Sequence, residues 1–224
     1  MIIIGALLLA YLLGSVPFSY IAGRRLRDID LREHGSGNLG ATNVYRTLGP
    51  GWGIAVLVLD MAKGAVAVLL MSVVVDHFLA GERLLLGIPA DLWRITAGIT
   101  ASVGHTASPF VGFKGGKGVA TTAGAYFVLA PYPILFALVM FGAIMGVTKI
   151  VSLASIAAAV VLPFAVLFFE IQSDTFSKSI TIVTFVISAW VVVKHRDNIK
   201  RLQEGTEKRL TTTPSDDDGE GTSS

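Results

Sequence analysis

No cysteine occurs in the 224 residues, which excludes a disulfide framework, a thiolate nucleophile and a cysteine-based metal site. Charge is scarce as well. Asp, Glu, Lys and Arg make up 15% of the chain, against roughly 25% in an ordinary soluble domain. Long polar linkers, solenoid repeats and a separable soluble domain are also lacking. What the chain has instead is apolar length: 53% of its residues are hydrophobic and its mean hydropathy is +0.68. A spanning helix needs roughly 20 mostly apolar residues, each adding ~1.5 Å across a hydrocarbon core of ~30 Å. Residues 2–22 meet that requirement without a single charge. The chain opens Met-Ile-Ile-Ile, with no positive n-region, and the run outlasts a usual signal h-region, so it reads as a retained helix.

The strong apolar blocks are 2–23, 52–76, 151–169 and 179–193, and weaker ones cover 94–111, 118–130 and 134–147. Pro131 and Pro133 predict a turn between two spans rather than one kinked helix. Charge distribution favours the two-span reading. With seven spans and the N-terminus outside, 14 of the 18 Lys and Arg residues fall on the inner side. Arg83, Arg94 and Lys178 fall on the outer side, and Lys63 falls within a span. A single helix over 118–147 would place the basic C-terminal segment outside. The expectation is an all-α membrane protein of about seven transmembrane helices, with the C-terminus cytoplasmic. Residues 1–210 form one polytopic domain, and 211–224 form a disordered acidic tail.

Three polar stretches interrupt the apolar blocks on the predicted inner side. The first runs Gly35-Ser36-Gly37-Asn38-Leu39-Gly40-Ala41-Thr42-Asn43, with Arg46 following. Glycines permit anion-binding turns, Ser and Asn supply hydroxyl and amide partners, and Arg supplies a fork suited to phosphate. The alternative is a plain polar turn. The second is Gly112-Phe113-Lys114-Gly115-Gly116-Lys117-Gly118, preceded by Gly104-His105. Lysines among glycines ahead of a helix resemble a phosphate cradle. It is no Walker A loop, because Val111 stands where the first Gly belongs and Gly118 replaces the Ser or Thr. Its alternative is a loop that merely anchors topology. The third, His195-Arg196-Asp197-Asn198-Ile199-Lys200-Arg201, continues from the last span and places His195, Asn198 and Arg201 near one helical face. Basic residues alone would suit anionic lipid headgroups. Neither His nor Asn is needed for that. Within the spans, Asp60 and Lys63 sit one turn apart, either facing a cavity or paired to fix packing. Ser152 and Ser155 either line the same cavity or bond their own helix. His77 reads as surface.

Together the stretches GSGNLGATNVYRTLG, GHTASPFVGFKGGKGVAT and HRDNIKRLQEGTE resemble the bacterial acyl-phosphate:glycerol-3-phosphate acyltransferase family over nearly the whole chain except the acidic tail. The resemblance implies a seven-helix inner-membrane enzyme with its active site toward the cytoplasm. It would move a fatty acyl group from acyl-phosphate to the 1-hydroxyl of glycerol 3-phosphate, giving lysophosphatidic acid and phosphate, the first committed acylation of phospholipid synthesis. Ser36, Asn38, Asn43 and Arg46 match the family's first motif, and Lys114, Gly115, Gly116 and Lys117 match the second. Ser152 and Ser155 fit its serine-bearing segment, and His195 and Asn198 its terminal motif. On that basis Ser36, His195 and Asn198 are the expected catalytic residues, orienting the attacking hydroxyl. The other nine are expected to bind substrate, with Arg46 and the lysines clamping phosphate.

Acyl-phosphate is an activated mixed anhydride, so no acyl-enzyme is needed and the missing cysteine is no obstacle. None of the four histidines has Asp five positions later, which excludes the His-x4-Asp dyad of other acyltransferases. No metal, cofactor or nucleic-acid partner is expected, and the partners are the two substrates and the bilayer. The rival from another class is a secondary transporter of a phosphorylated solute, against which stands the absence of a visible inverted repeat. A CDP-alcohol phosphotransferase is a second rival, but its paired-aspartate metal motif is absent and Asp60 stands alone.

Overall fold

The structure is a computed structural model that describes residues 1–79, 84–85, 87–172 and 177–210. Arg83 and the acidic segment 211–224, both assigned from the sequence above, lie outside the described residues. Ten α-helices follow one another among those described: α1 Ile2–Ser15, α2 Phe18–Arg27, α3 Ala41–Leu48, α4 Pro50–Leu79, α5 Ala90–Thr106, α6 Val119–Leu129, α7 Pro131–Thr148, α8 Val151–Gln172, α9 Lys178–Lys194 and α10 Arg196–Gln203. A two-residue antiparallel pair, Leu84–Leu85 with Ile88–Pro89, links α4 to α5.

Each of the seven apolar blocks is largely helical, although 2–23 breaks at Val16–Pro17 and 94–111 outruns α5, which ends at Thr106. Four segments are long and apolar enough to cross a membrane: Ile2–Arg27, Pro50–Phe78, Pro131–Thr148 and Val151–Gln172. A fifth is reached if α9 and α10, bent by 57° at their junction, count as one span. That bend corrects the sequence reading, in which the terminal basic segment simply continued the last span. The chain also breaks at Ala130 between α6 and α7, as the two prolines predicted. Yet α6 has only 11 residues, and at ~1.5 Å each it reaches about half way across a ~30 Å core.

The burial pattern inverts that of a soluble bundle. Large apolar side chains such as Val58, Val73, Val139 and Val186 face outward, whereas Ser15, Ser19, Ser102, Thr121, Thr184 and the Asp60–Lys63 pair are buried. Polar groups in an apolar environment stabilise the fold only when they meet one another. Thus Tyr126 Oη donates to Thr184 Oγ1 at 2.7 Å, joining α6 to α9. Small residues bring the backbones together. A Cβ on Gly64 would overlap the Thr121 carbonyl and one on Gly124 the Met61 carbonyl, so α4 and α6 touch main chain to main chain. The same holds for α1 and α5 where Gly14 meets Ala101. The consequence for function is positional. α4, α5 and α6 are locked together, and the lysine loop hangs between the last two.

Candidate active site

The first polar stretch follows α2, which ends when Asp28 adopts a left-handed conformation (φ 54°). Asp30 is buried and takes the Arg32 guanidinium on both oxygens, with Nε to Oδ1 at 3.0 Å and Nη2 to Oδ2 at 2.6 Å. That hydrogen-bonded pairing holds the Asp30 carboxyl down at about 2. Arg32 Nη1 then reaches across to donate to the Val111 carbonyl at 3.2 Å, tying the first polar stretch to the second.

Asn43, expected to bind substrate, is 1% exposed and spends its amide on its own loop. Nδ2 donates to the Leu31 and His34 carbonyls at 2.9 and 3.0 Å, and Oδ1 accepts the Ser36 N–H at 2.8 Å. It therefore positions Ser36, with no donor left over for a ligand. Gly35 (φ 64°) is required here, because a Cβ would collide with Asn43 Oδ1. Ser36 itself is exposed. It lines an open cleft of about 480 Å³ together with Arg32, Gly37, Asn38, Lys114 and Gly115.

The glycines of the second stretch also act differently from a phosphate cradle. Gly115 N–H donates to the Thr106 carbonyl and Gly116 N–H to the His105 carbonyl, both at 3.1 Å. Those amides close the end of α5 and are unavailable to an anion. Lys114 extends into the cleft. Lys117 points the other way, into a second cluster around the chain's terminal segment.

That cluster is organised by Glu207. Its Oε1 accepts from Ser152 Oγ at 2.7 Å and from Asn198 Nδ2 at 2.6 Å, and its Oε2 accepts from Arg201 Nε at 2.7 Å. Lys117 Nζ donates to Asn198 Oδ1 in a short hydrogen bond. Burial works against the Glu207 charge, but its three hydrogen bonds more than offset that and hold the carboxyl below its usual range. Lys117 is lowered to about 8, first by burial, with Glu207 opposing the shift and the Arg201 and Arg46 charges adding to it. Arg46 donates to the Lys208 carbonyl at 2.9 Å, and its buried Nε has no hydrogen-bond partner among the described residues.

His195 closes α9 and is 3% exposed. Its Nδ1 lies 2.8 Å from the Val191 carbonyl, which can only accept, so Nδ1 carries the proton. Burial and the Lys117 charge lower the imidazole to about 4, so it is neutral at pH 7 with a lone pair on Nε2. Ser155 is buried one turn beyond Ser152 on α8.

The twelve expected site residues therefore divide. Ser36, Asn38, Lys114 and Gly115 line the cleft, while Arg46, Lys117, Ser152, His195 and Asn198 gather at or beside the Glu207 cluster. Asn43 and Gly116 support the loops, and Ser155 is buried on α8. The sequence reading missed Arg32, Arg201 and Glu207 as site residues, although Glu207 is the last residue of the stretch HRDNIKRLQEGTE. It missed the link from Asp60 to His105 as well. Among the described residues, His, Asp and Glu side chains nowhere gather in threes able to hold a metal ion.

The family model described as glycerol-3-phosphate acyltransferase matches residues 4–205. The chain is 43% identical to the glycerol-3-phosphate acyltransferase of Geobacter sulfurreducens over 201 residues, covering 90% of this chain and 94% of that one. It is also 43% identical to glycerol-3-phosphate acyltransferase 2 of Moorella thermoacetica, covering 92% and 96%. Among solved structures it is similar to PlsY, an integral membrane glycerol 3-phosphate acyltransferase. The glycerol 3-phosphate form aligns with TM-score 0.79 at 35% identity over 95% of this chain and 97% of that one. The lysophosphatidic acid form aligns with TM-score 0.76 at 34% identity, over 96% and 98%. Neither the transporter nor the CDP-alcohol phosphotransferase reading finds support in these matches. Matched in sequence and in fold along nearly its whole length, this multi-pass membrane chain belongs to the glycerol-3-phosphate acyltransferase family.

Proposed function

We propose that the chain transfers a fatty acyl group from acyl-phosphate to the 1-hydroxyl of glycerol 3-phosphate, releasing lysophosphatidic acid and phosphate on the cytoplasmic side of a bacterial inner membrane. The observation that carries this reading is the cluster in which Glu207 takes Ser152, Asn198 and Arg201, Lys117 bonds Asn198 and Arg46 bonds the neighbouring Lys208 carbonyl, beside an open cleft carrying Lys114 and Arg32. Both substrates bring phosphate, and the two basic clusters on either side of one glycine loop suit two anionic groups held close together. Arg46 Nε is a buried donor awaiting an acceptor, which a phosphate oxygen would supply.

Neutral His195, with Nε2 unprotonated, accepts a hydrogen bond from the glycerol hydroxyl and orients it. At about 4 it is too weak a base to keep the proton. The attacking oxygen forms a bond to the acyl carbon, the bond from that carbon to the phosphate oxygen breaks, and the departing phosphate takes the hydroxyl proton. Lys117 and Arg46 stabilise the charge that builds on it. Ser36 and Asn38, on the cleft side, position the acceptor. Seven crossings with the N-terminus outside put all three polar stretches on the inner face and agree with the positive-inside distribution.

Purified protein in lipid, given acyl-phosphate and glycerol 3-phosphate, should release phosphate and form lysophosphatidic acid in equal amounts. Acyl-CoA and acyl-carrier-protein donors run in parallel should give none. Turnover with either of those donors would overturn the donor assignment, and uptake of the solute into sealed vesicles without conversion would overturn the enzyme itself.

A further inference from the structure

Asp60, Lys63 and His105 take no part in the clusters described above, yet all three are buried (1%, 5% and 9% exposed). Asp60 Oδ1 lies 2.8 Å from Lys63 Nζ and 3.5 Å from His105 Nδ1. Lys63 also donates to the Val16 carbonyl at 3.1 Å, at the break between α1 and α2, and lies over the Phe18 ring. An ion pair that only fixed packing would need Asp60 and Lys63 alone. The third member touches the lysine loop. A Cβ on Gly116 would overlap His105 Nε2 and the Leu39 carbonyl, and one on Gly115 would overlap the His105 carbonyl. The Gly116 N–H is bonded to that same His105 carbonyl. The ring is therefore the floor on which the loop rests, with the Leu39 carbonyl of the first polar stretch against the same glycine. The same corner is fixed from α1 by Tyr11 Oη donating to the Ala107 carbonyl at 2.7 Å and by Ser108 Oγ donating to the Ser15 carbonyl at 2.6 Å.

We propose that Asp60, Lys63 and His105 form a buried support that sets the height of the lysine loop. His105 acts as a positioning residue for Lys114 and Lys117 rather than as a group that meets substrate. The Asp60 carboxylate faces the imidazole Nδ1 across 3.5 Å and attracts it electrostatically, Lys63 balances the carboxylate, and Nε2 is turned toward Gly116. Two glycines in succession are needed because any side chain there would lift the loop off the ring. This inference rests on the acyltransferase reading for its kinetic consequence, but its structural part stands by itself.

The test pairs exchange with kinetics on the full chain in lipid. Hydrogen exchange of the peptide covering 113–118 should accelerate in His105→Ala and in the double variant Asp60→Asn with Lys63→Met, which leaves no lone charge behind. His105→Asn, which keeps a donor for Asp60, should lie between. The KM for glycerol 3-phosphate should rise roughly tenfold in His105→Ala, because a small misplacement of a substrate-holding group weakens substrate binding. It should recover in part in His105→Asn. A merely structural role would lower the melting temperature and the yield of active protein while leaving KM and loop exchange unchanged, and that result overturns the proposal. If the unaltered protein catalyses no acyl transfer, the functional reading fails. Accelerated loop exchange would then still uphold the support, and unchanged exchange would remove it too.

Discussion

At the residue scale, charge within the Glu207 cluster decides what the site can hold and over what pH range. Lys117, lowered to about 8, is protonated below that value and loses its charge as pH rises through it. The KM for glycerol 3-phosphate should therefore climb above about pH 8, approaching tenfold per unit if the ammonium is the only group lost. Lys117→Arg should flatten that climb, since a guanidinium keeps its charge. Glu207→Gln should move it to lower pH, because the carboxylate is what holds the lysine up. Initial rates across pH 6–10 check all three. At this scale the sequence was a good guide to place and a poor one to role. Ser36, Asn38, Asn43 and Arg46 all read as polar and available. Asn43 is nevertheless fully used by Leu31, His34 and Ser36, because backbone groups turned inward in a tight loop need partners of their own. Asp197, Glu204 and Glu207 likewise look alike in the sequence. Only the turn at Gly205, with Thr206 N–H bonded back to the Arg201 carbonyl, folds Glu207 into the site while Asp197 stays exposed.

At the element scale, backbone contact between α4 and α6 fixes where the lysine loop begins its helix. Gly124→Ala should force the Met61 main chain away and cost about 1–3 kcal/mol of stability, as overpacking does elsewhere. Gly142→Ala on α7, where the added methyl meets open space, should be neutral or slightly stabilising. Thermal unfolding of both variants in one detergent separates the two cases. The helices themselves were legible because lipid demands long uncharged runs. Their ends were less so. The break at Val16–Pro17 lay hidden inside a continuous apolar block, and the bend at His195 lay at a junction that composition treats as smooth.

At the scale of the whole molecule, the short α6 is the element on which the topology turns. Five helices that could cross, α5 to α9, separate Ile88 from Glu204, with the short polar α10 after them. If all cross, the two residues lie on opposite faces, and if α6 does not, they share one. The natural lack of cysteine makes the experiment clean. Ile88→Cys and Glu204→Cys, each the only thiol in its chain, should react differently with a membrane-impermeant maleimide on sealed vesicles of known orientation. Ile88→Cys should label from outside and Glu204→Cys only after lysis.

The strap at residues 204–210 has a consequence for when the protein becomes active. Glu207 is bonded to Ser152, Asn198 and Arg201, Lys208 receives Arg46, and Leu210 N–H reaches the Lys149 carbonyl at 2.7 Å. Glu207, Lys208 and Leu210 all follow α10, the last helix among the described residues, in the order of synthesis. Neither Lys117, bonded to Asn198, nor Arg46, bonded to Lys208, can meet its partner until that late segment has been made. A chain truncated before Glu207 should therefore insert its long apolar helices and yet lack the assembled cluster, which comparison of membrane insertion with activity would check.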